Sequence, residues 1–244
     1  MKLEQVAIES GEDLLTGLRY RPDKTPHKTG LVLAHGFTSG KYSLDGLAGY
    51  LAGQGYECLT FDTVGHKLGG SGGRMERTEQ AAENLRDAVR YFCRATDCRQ
   101  VILIGHSMGA AAAIQAAAWA AHEHASADSP ISGIILICMG LNPDSGFDSI
   151  AGSAMLKQRS DYVVGAEGIE LLRGLNRLLE AASSLAPLPT LVIAAKNDLL
   201  LPVSKVEALA ARIGESAELR TIDAMHLDAP DRSRGLIANW LAAH

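Results

Sequence analysis

Short, almost uninterrupted apolar runs recur along the chain and limit its fold more than any other sequence feature. Two of them read VILIG (101–105) and IILIC (134–138). Strands without polar–apolar alternation are typical of parallel sheets that are covered on both faces. We therefore predict strands at the following runs: Gly30–Ala34, Tyr56–Phe61, Gln100–Gly105, Ile131–Met139, Thr190–Ala195 and Glu218–Ile222.

Segments with helical periodicity lie between these runs. In Thr78–Ala95 the apolar residues are spaced three and four apart, and Val203–Ile213 and Leu236–Leu241 show the same period. A predicted β-hairpin, Gln5–Glu9 with Leu14–Tyr20, comes before them. This order predicts an α/β fold in three layers, a mostly parallel eight-stranded sheet with helices on both faces.

One interval interrupts this alternation. Between Met139 and Pro189 about fifty residues pass without a strand, whereas a crossover between parallel strands needs only about a dozen. We predict a small helical lid inserted at about residues 141–185 of a single domain that spans residues 1–244. Lys157 and Arg159 in this insertion are interpreted as exposed charges, with contact to an acidic substrate as the alternative.

Charge and composition exclude several classes of protein. The net charge of −5 gives no large basic face, so we expect neither nucleic acid nor stable membrane insertion. The longest apolar run, near residues 110–121, is broken by Gln115 and is too short for a membrane span. Four cysteines lack metal-ligand spacing, so we expect free thiols, no metal site and a cytoplasmic location.

The pentapeptide Gly105-His106-Ser107-Met108-Gly109 is the strongest local signal. It follows an apolar run and opens an alanine-rich helix, which is the strand–turn–helix context of a G-x-S-x-G nucleophile motif. Glycines at both ends allow close packing, which lifts the serine hydroxyl above the carboxyl edge of the sheet. The start of the helix favours negative charge there. Ser107 is therefore the predicted nucleophile.

A serine hydroxyl needs a base, and the base needs an acid that orients it. His226 is the predicted base because it follows the last predicted strand and precedes the closing helix. Asp198 is the predicted acid because it ends the run LVIAAKND, one strand earlier, and Asp144 is the alternative. The order serine, aspartate, histidine agrees with G-x-S-x-G hydrolases and differs from the two serine protease orders.

Two preorganised donors should meet the negative charge that develops on the substrate oxygen. We predict the backbone N–H groups of Met108, directly after the nucleophile, and of Phe37, in the loop after the third strand. Gly36 supplies the conformational freedom for that turn. His35 is expected to hydrogen-bond within the loop.

Taken together, HGFTSG (35–40), GHSMG, Asp198 and His226 resemble the α/β-hydrolase fold superfamily over nearly the whole chain. The small size, the HGFT loop and the short insertion are similar to compact bacterial carboxylesterases, cinnamoyl (feruloyl) esterases and monoacylglycerol lipases. The resemblance implies a cofactor-free serine hydrolase that cleaves carboxylic esters of small to medium acyl groups through an acyl-enzyme. The expected partner is a small-molecule ester.

The chain departs from these relatives after the fourth strand, where they commonly carry Gly-His-Gly. Here Lys67 follows His66, and a longer glycine-rich loop spans 65–73. We interpret it as an altered structural loop, with a border of the substrate pocket as the alternative. The triad does not identify the leaving group. A thioesterase, a lactonase or another acyl hydrolase therefore stays open, as does a non-catalytic ligand-binding protein on this fold.

Overall fold

Eight strands form one open sheet in the computed structural model, which describes residues 1–23, 26–123 and 129–244. The strands are β1 (Lys2–Ser10), β2 (Asp13–Arg21), β3 (Thr29–Ala34), β4 (Cys58–Phe61), β5 (Gln100–His106), β6 (Ile131–Ile137), β7 (Thr190–Ala195) and β8 (Ala217–Ile222). Their spatial order is β1-β2-β4-β3-β5-β6-β7-β8. Strands β3 to β8 are parallel, and β1 and β2 are antiparallel to their neighbours. The predicted sheet is confirmed.

Helices cover both faces of the sheet. Within the described ranges they are α1 (Asp45–Gly53), α2 (Glu79–Ala95), α3 (Met108–Glu123), α4 (Ile150–Arg159), α5 (Gly168–Glu180), α6 (Val203–Ile213) and α7 (Ala229–Ala243). Leu31 and Leu33 of β3 pack with α1 and α7, whereas Val32 and Ala34 pack on the other side with α2 and α3. Because successive strand residues point to opposite faces, both sets are buried. This explains the continuous apolar runs.

Two helices differ from the prediction. No helix was predicted at α1, whose sequence DGLAGYLAG contains helix-weakening glycines. Its burial of Leu47 and Leu51 against the sheet holds it in place. Helix α7 begins at Ala229, well before Leu236, because its first turns are polar outside and bury only small residues. Among the described residues, no helix is both long enough and apolar enough to cross a membrane.

The insertion between β6 and β7 contains 3-10 helices at Pro143–Phe147 and Ala181–Ser184, together with α4 and α5. The leucines of α5 are buried in the same core as α3. Thr78 at the start of α2 donates a 2.7 Å hydrogen bond from Oγ1 to the Leu171 carbonyl. Helix α5 is therefore part of the packed body of the protein.

The glycine-rich loop fastens the insertion at a second place. Lys67 N–H donates to the Tyr162 carbonyl at 2.8 Å, Val164 N–H to Gly65 at 2.8 Å and Met75 N–H to Val164 at 2.7 Å. This short ladder joins residues 162–166 to residues 65–75 and gives the loop a structural role.

Asp62, fully buried after β4, holds the other side of this loop. Its carboxylate accepts hydrogen bonds from Lys41 N at 2.7 Å, Gly70 N at 2.8 Å and Thr16 Oγ1 at 2.9 Å, and it pairs with the Lys41 ammonium. A Cβ at Gly69 would lie 2.2 Å from Asp62 Cγ, so no side chain fits there. Burial opposes ionisation, but these donors outweigh it and lower the pKa of Asp62.

We expect Asp62→Asn to destabilise the protein by about 3 kcal/mol or more, because it leaves the buried Lys41 ammonium without a counter-charge. Urea unfolding at pH 7 measures the change. Asp23→Asn is the control, since Asp23 is exposed and pairs with the N-terminal amine; its cost should stay below about 1 kcal/mol. Equal losses in the two variants would contradict this account.

Candidate active site

The predicted site residues lie in loops that leave one edge of the sheet. Phe37 follows β3, Ser107 follows β5, Asp198 follows β7 and His226 follows β8. Because these strands are parallel, their carboxyl ends meet at the same edge, which is where open α/β sheets bind ligands. The fold therefore brings together residues that are far apart in the sequence.

Ser107 lies on a strained turn between β5 and α3. Its φ of +52° is in the left-handed region, which is uncommon for a residue with a side chain. A Cβ at Gly105 would lie 2.3 Å from the Gly109 carbonyl oxygen, and one at Gly109 would lie 2.1 Å from the Ala34 carbonyl oxygen. Only glycine fits at either position. The strand and helix consequently pack as closely as the motif predicts.

Asp198 and His226 form a direct contact. His226 Nδ1 donates to Asp198 Oδ2 at 2.7 Å, and Asp198 Oδ1 accepts from the N–H groups of Leu200 and Leu201 at 2.9 and 3.0 Å. Burial opposes ionisation of Asp198, but the hydrogen bond and charge of His226 and the two N–H groups outweigh it and lower its pKa. With Nδ1 engaged, Nε2 is the ring nitrogen left to act as a base.

Asp144, the alternative acid, lies elsewhere. It belongs to the 3-10 helix Pro143–Phe147, where its Oδ1 accepts a 2.9 Å hydrogen bond from Asn176 of α5. Asp144 therefore joins two parts of the insertion, and Asp198 is the acid in contact with His226.

His106, inside the pentapeptide, has a role that the sequence analysis missed. Its Nε2 lies 2.9 Å from the carbonyl oxygen of His226, so Nε2 carries the proton and donates. Burial and the neighbouring His226 lower the pKa of His106 to about 3, which keeps the ring neutral. The turn at residues 105–109, the nucleophile elbow, thus holds the loop that carries His226, the predicted base. Its position beside Ser107 was the available signal, but nothing in the sequence identified its partner.

The loop after β3 packs against the elbow. A Cβ at Gly36 would lie 3.2 Å from Ser107 Cβ. His35 donates from Nδ1 to the Gly36 carbonyl at 2.8 Å and accepts at Nε2 from Thr63 N–H at 3.0 Å. The backbone N–H groups of Phe37 and Met108 have no acceptor among the described residues. Both are therefore available to a ligand oxygen.

A cavity of about 310 Å³ opens beside Ser107 and His226. Its walls are mainly apolar and include Phe147, Met155, Leu156, Leu172, Leu200 and Met225. No residue of the glycine-rich loop 65–73 lines it. Arg159 lines the cavity. The sequence predicted an exposed side chain at this position, but Arg159 is half-buried.

A metal centre does not suit the chemistry of this part of the site. His106, Cys138 and His226 offer donor atoms within 4.8 Å of one another. Burial, together with the charge of Asp198, raises the pKa of the Cys138 thiol, whereas metals bind the thiolate. His106 Nε2 is already bonded to a carbonyl. These groups fit the hydrogen-bonded support of His226 better than a metal.

Solved structures of hydrolases share the fold over almost the full chain. The protein is similar to an esterase from Pyrococcus furiosus, with 21% identity, a TM-score of 0.76 and coverage of 99% of this chain and 91% of that chain. An esterase from Exiguobacterium antarcticum is 15% identical, with a TM-score of 0.73 and coverage of 98% of this chain and 100% of that chain. The thioesterase domain from the curacin biosynthetic pathway is 18% identical, with a TM-score of 0.67 and coverage of 99% of this chain and 100% of that chain. At such identities the likeness shows the fold, which is that of the α/β hydrolases.

The family follows from the sequence. Residues 25–164, more than half of the chain, match the serine aminopeptidase S33 family of α/β hydrolases, and the chain belongs to this family. The predicted superfamily is confirmed, and the protein is a hydrolase. A sequence search of curated proteins gave no significant match.

We expect the free energy of unfolding to fall as the pH drops from about 6.5 towards 3, because His66 and His106 are buried and neutral in the folded protein. Burial lowers each pKa from 6.5 to about 3, and a neighbouring imidazole adds to the shift, that of His35 for His66 and that of His226 for His106. Between these pH values the unfolded chain binds more protons than the folded protein. The expected slope is on the order of 1 kcal/mol per pH unit for each histidine.

Urea unfolding across this pH range measures the slope. His66→Phe removes one of these buried neutral groups and should make the dependence shallower. His122→Phe, at an exposed position of α3, should leave it unchanged. A slope that is the same in wild type and His66→Phe would show that His66 does not stay neutral on folding.

Proposed function

We propose that the protein is a serine esterase that cleaves carboxylic esters of small to medium acyl groups, with Ser107, His226 and Asp198 as its catalytic triad. One observation carries the proposal. His226, held through Nδ1 by the Asp198 carboxylate, lines the same cavity as Ser107 on its strained turn. This arrangement leaves Nε2 free to act as a base in a cavity that also contains the Ser107 hydroxyl, at the start of a helix.

In the acylation step, His226 Nε2 takes the proton of the Ser107 hydroxyl as Oγ attacks the ester carbonyl carbon. The carbonyl oxygen becomes negatively charged and accepts hydrogen bonds from the N–H groups of Phe37 and Met108. Asp198 keeps the His226 ring oriented and stabilises its positive charge. His226 then gives the proton to the departing alcohol, which leaves the acyl group on Ser107.

Deacylation repeats these steps with water. His226 Nε2 takes a proton from a water molecule, whose oxygen attacks the acyl carbon, and the oxyanion occupies the same site. Return of the proton to Ser107 Oγ releases the carboxylic acid. The proposed chemistry needs no cofactor. The proposed location is the cytoplasm, supported by four cysteines that are free thiols.

The cavity walls favour an ester over the free amino terminus of a peptide. An aminopeptidase has to bind the cationic amine of its substrate, and an acidic side chain usually serves that purpose. Among the described residues, no carboxylate lines the cavity, and its one guanidinium, that of Arg159, would repel an amine. Exposed apolar side chains at the cavity, Leu199 (92% exposed) and Leu227 (72% exposed), favour a substrate with apolar groups.

Thioester hydrolysis is the second candidate. The same triad would serve it, and the mainly apolar walls offer few polar groups that could distinguish an alcohol from a thiol leaving group. The structural likeness to a thioesterase domain is compatible with this chemistry. A comparison of kcat/KM for matched oxygen esters and thioesters separates the two candidates.

The first test is hydrolysis of p-nitrophenyl esters with acyl chains of increasing length. Wild type should be active with an optimum at short or medium chains, and Ser107→Ala should lose at least about 10⁴-fold in kcat because the nucleophile is gone. Ser204→Ala, at an exposed serine of α6, is the control and should retain activity. Equal activity of Ser107→Ala and wild type would refute Ser107 as the nucleophile.

The acid of the triad is tested by comparing two aspartates. Asp198→Asn should lower kcat by about 10⁴-fold, because an amide cannot hold His226 in the required tautomer or stabilise its charge. Asp144→Asn should leave kcat near the wild-type value, since Asp144 contacts Asn176 and not His226. Steady-state ester hydrolysis at pH 7 measures both. The opposite result would assign the acid to Asp144.

A further inference from the structure

Arg159, the last residue of α4, places a positive charge in the cavity that also contains Ser107 and His226. Its Nε donates to Thr38 Oγ1 at 2.9 Å, and its Nη2 donates to the Thr38 carbonyl at 3.2 Å. The guanidinium also lies over the Tyr162 ring, 5.3 Å from the ring centre. Each of these contacts is with a neutral group.

The charge of Arg159 has no counter-ion in the part of the chain that the structure describes. None of the ion pairs there involves Arg159, and no carboxylate lines the cavity. Arg19 shows the usual arrangement for a mostly buried arginine: it lies 2.5 Å from Glu57 and 3.8 Å from Glu4. A partly buried charge without a partner is costly, and among apolar walls its attraction for an anion is strong.

The geometry leaves one edge of the guanidinium free. Nε and one N–H of Nη2 face Thr38, so Nη1 and the second N–H of Nη2 have no partner among the described residues. These two nitrogens form the fork that binds a carboxylate through two parallel hydrogen bonds. Thr38 therefore fixes the side chain and leaves its carboxylate-binding edge unoccupied.

We propose that the cavity selects esters that carry a negatively charged carboxylate in addition to the ester group, and that Arg159 binds this carboxylate. The substrate class is a half-ester of a dicarboxylic acid or the ester of a hydroxy acid, with an apolar chain between the two ends. The inference rests on the proposed esterase function. It makes Arg159 a specificity-determining residue, since the reaction at Ser107 does not require it.

The experiment measures the ratio of kcat/KM for charged and neutral esters of equal chain length. Monomethyl adipate against methyl hexanoate tests a charge on the acyl side, and 6-acetoxyhexanoate against hexyl acetate tests a charge on the alcohol side. Wild type should prefer the charged ester of at least one pair. Arg159→Gln should reduce that preference by at least about tenfold, the value of a hydrogen bond to a charged group.

Lys157→Gln is the matched control, because it removes the same charge from an exposed position of the same helix outside the cavity. It should change the preference by less than about twofold, since exposed charges are largely screened. Arg159→Lys keeps the charge without the fork and should fall between wild type and Arg159→Gln. Thermal unfolding of each variant checks that it is folded, and Arg159→Lys carries the test if Arg159→Gln is not.

The ratio of kcat/KM for charged and neutral esters separates two roles of Arg159, binding of the substrate carboxylate and support of Thr38. If Arg159→Gln slows charged and neutral esters equally, or if wild type shows no preference in either pair, the inference is wrong while the esterase proposal stands. If wild type hydrolyses no ester at all, the esterase proposal fails. Calorimetric titration with adipate then decides the inference: binding that Arg159→Gln abolishes supports an anion site, and no binding overturns it.

Discussion

The close approach of α3 to β3 and β5 is the contact on which the rest of this structure depends. Gly105 and Gly109 leave no room for a Cβ, and the buried alanines at 110–113 let the helix lie against the sheet. So short a turn forces Ser107 into the left-handed region, at a cost of about 1–3 kcal/mol. Burial of α3 against the sheet and its neighbours α2 and α5 offsets this strain and holds the serine at the start of the helix.

Buried neutral histidines connect the loops around Ser107. His35 donates from one ring nitrogen and accepts at the other, and so joins the loop after β3 to the loop after β4. His106 joins the elbow to the loop of His226. A protonated imidazole has no acceptor, so the His35 bridge exists only while the ring is neutral. Burial lowers the pKa of both rings, and the same burial that packs the site therefore preserves its hydrogen bonds.

The sequence predicted most of the sheet because its signals are local. Runs such as residues 101–105 show their burial directly, and the motif around Ser107 carries its own strand and helix. Helix α1 was missed because tertiary burial of Leu47 and Leu51, rather than local propensity, stabilises it. The separation of Asp198 from Asp144 required the structure, since both follow strands and only contact with His226 distinguishes them.

Arg159 was misjudged for a related reason. A charged residue at the end of a helix usually faces solvent. The contact of Arg159 with Thr38, 121 positions away along the chain, leaves no trace in the sequence. Such a contact, between the insertion and the loop after β3, depends on how the insertion is attached to the rest of the protein. Here two features attach it after α4: the ladder between residues 162–166 and the glycine-rich loop, and the buried leucines of α5.

This attachment determines what the loops at the sheet edge and the insertion each contribute to the candidate active site. The loops at the edge of the sheet hold the proposed catalytic groups at positions set by the parallel strands. Helix α4 adds cavity walls and one charge, and its C-terminal end is the part nearest the ladder of residues 162–166. Because Arg159 lies at that fastened end and is held by Thr38, its position depends on the body of the protein more than on the outer turns of α4. A charge held in this way can select among substrates without disturbing the geometry at Ser107.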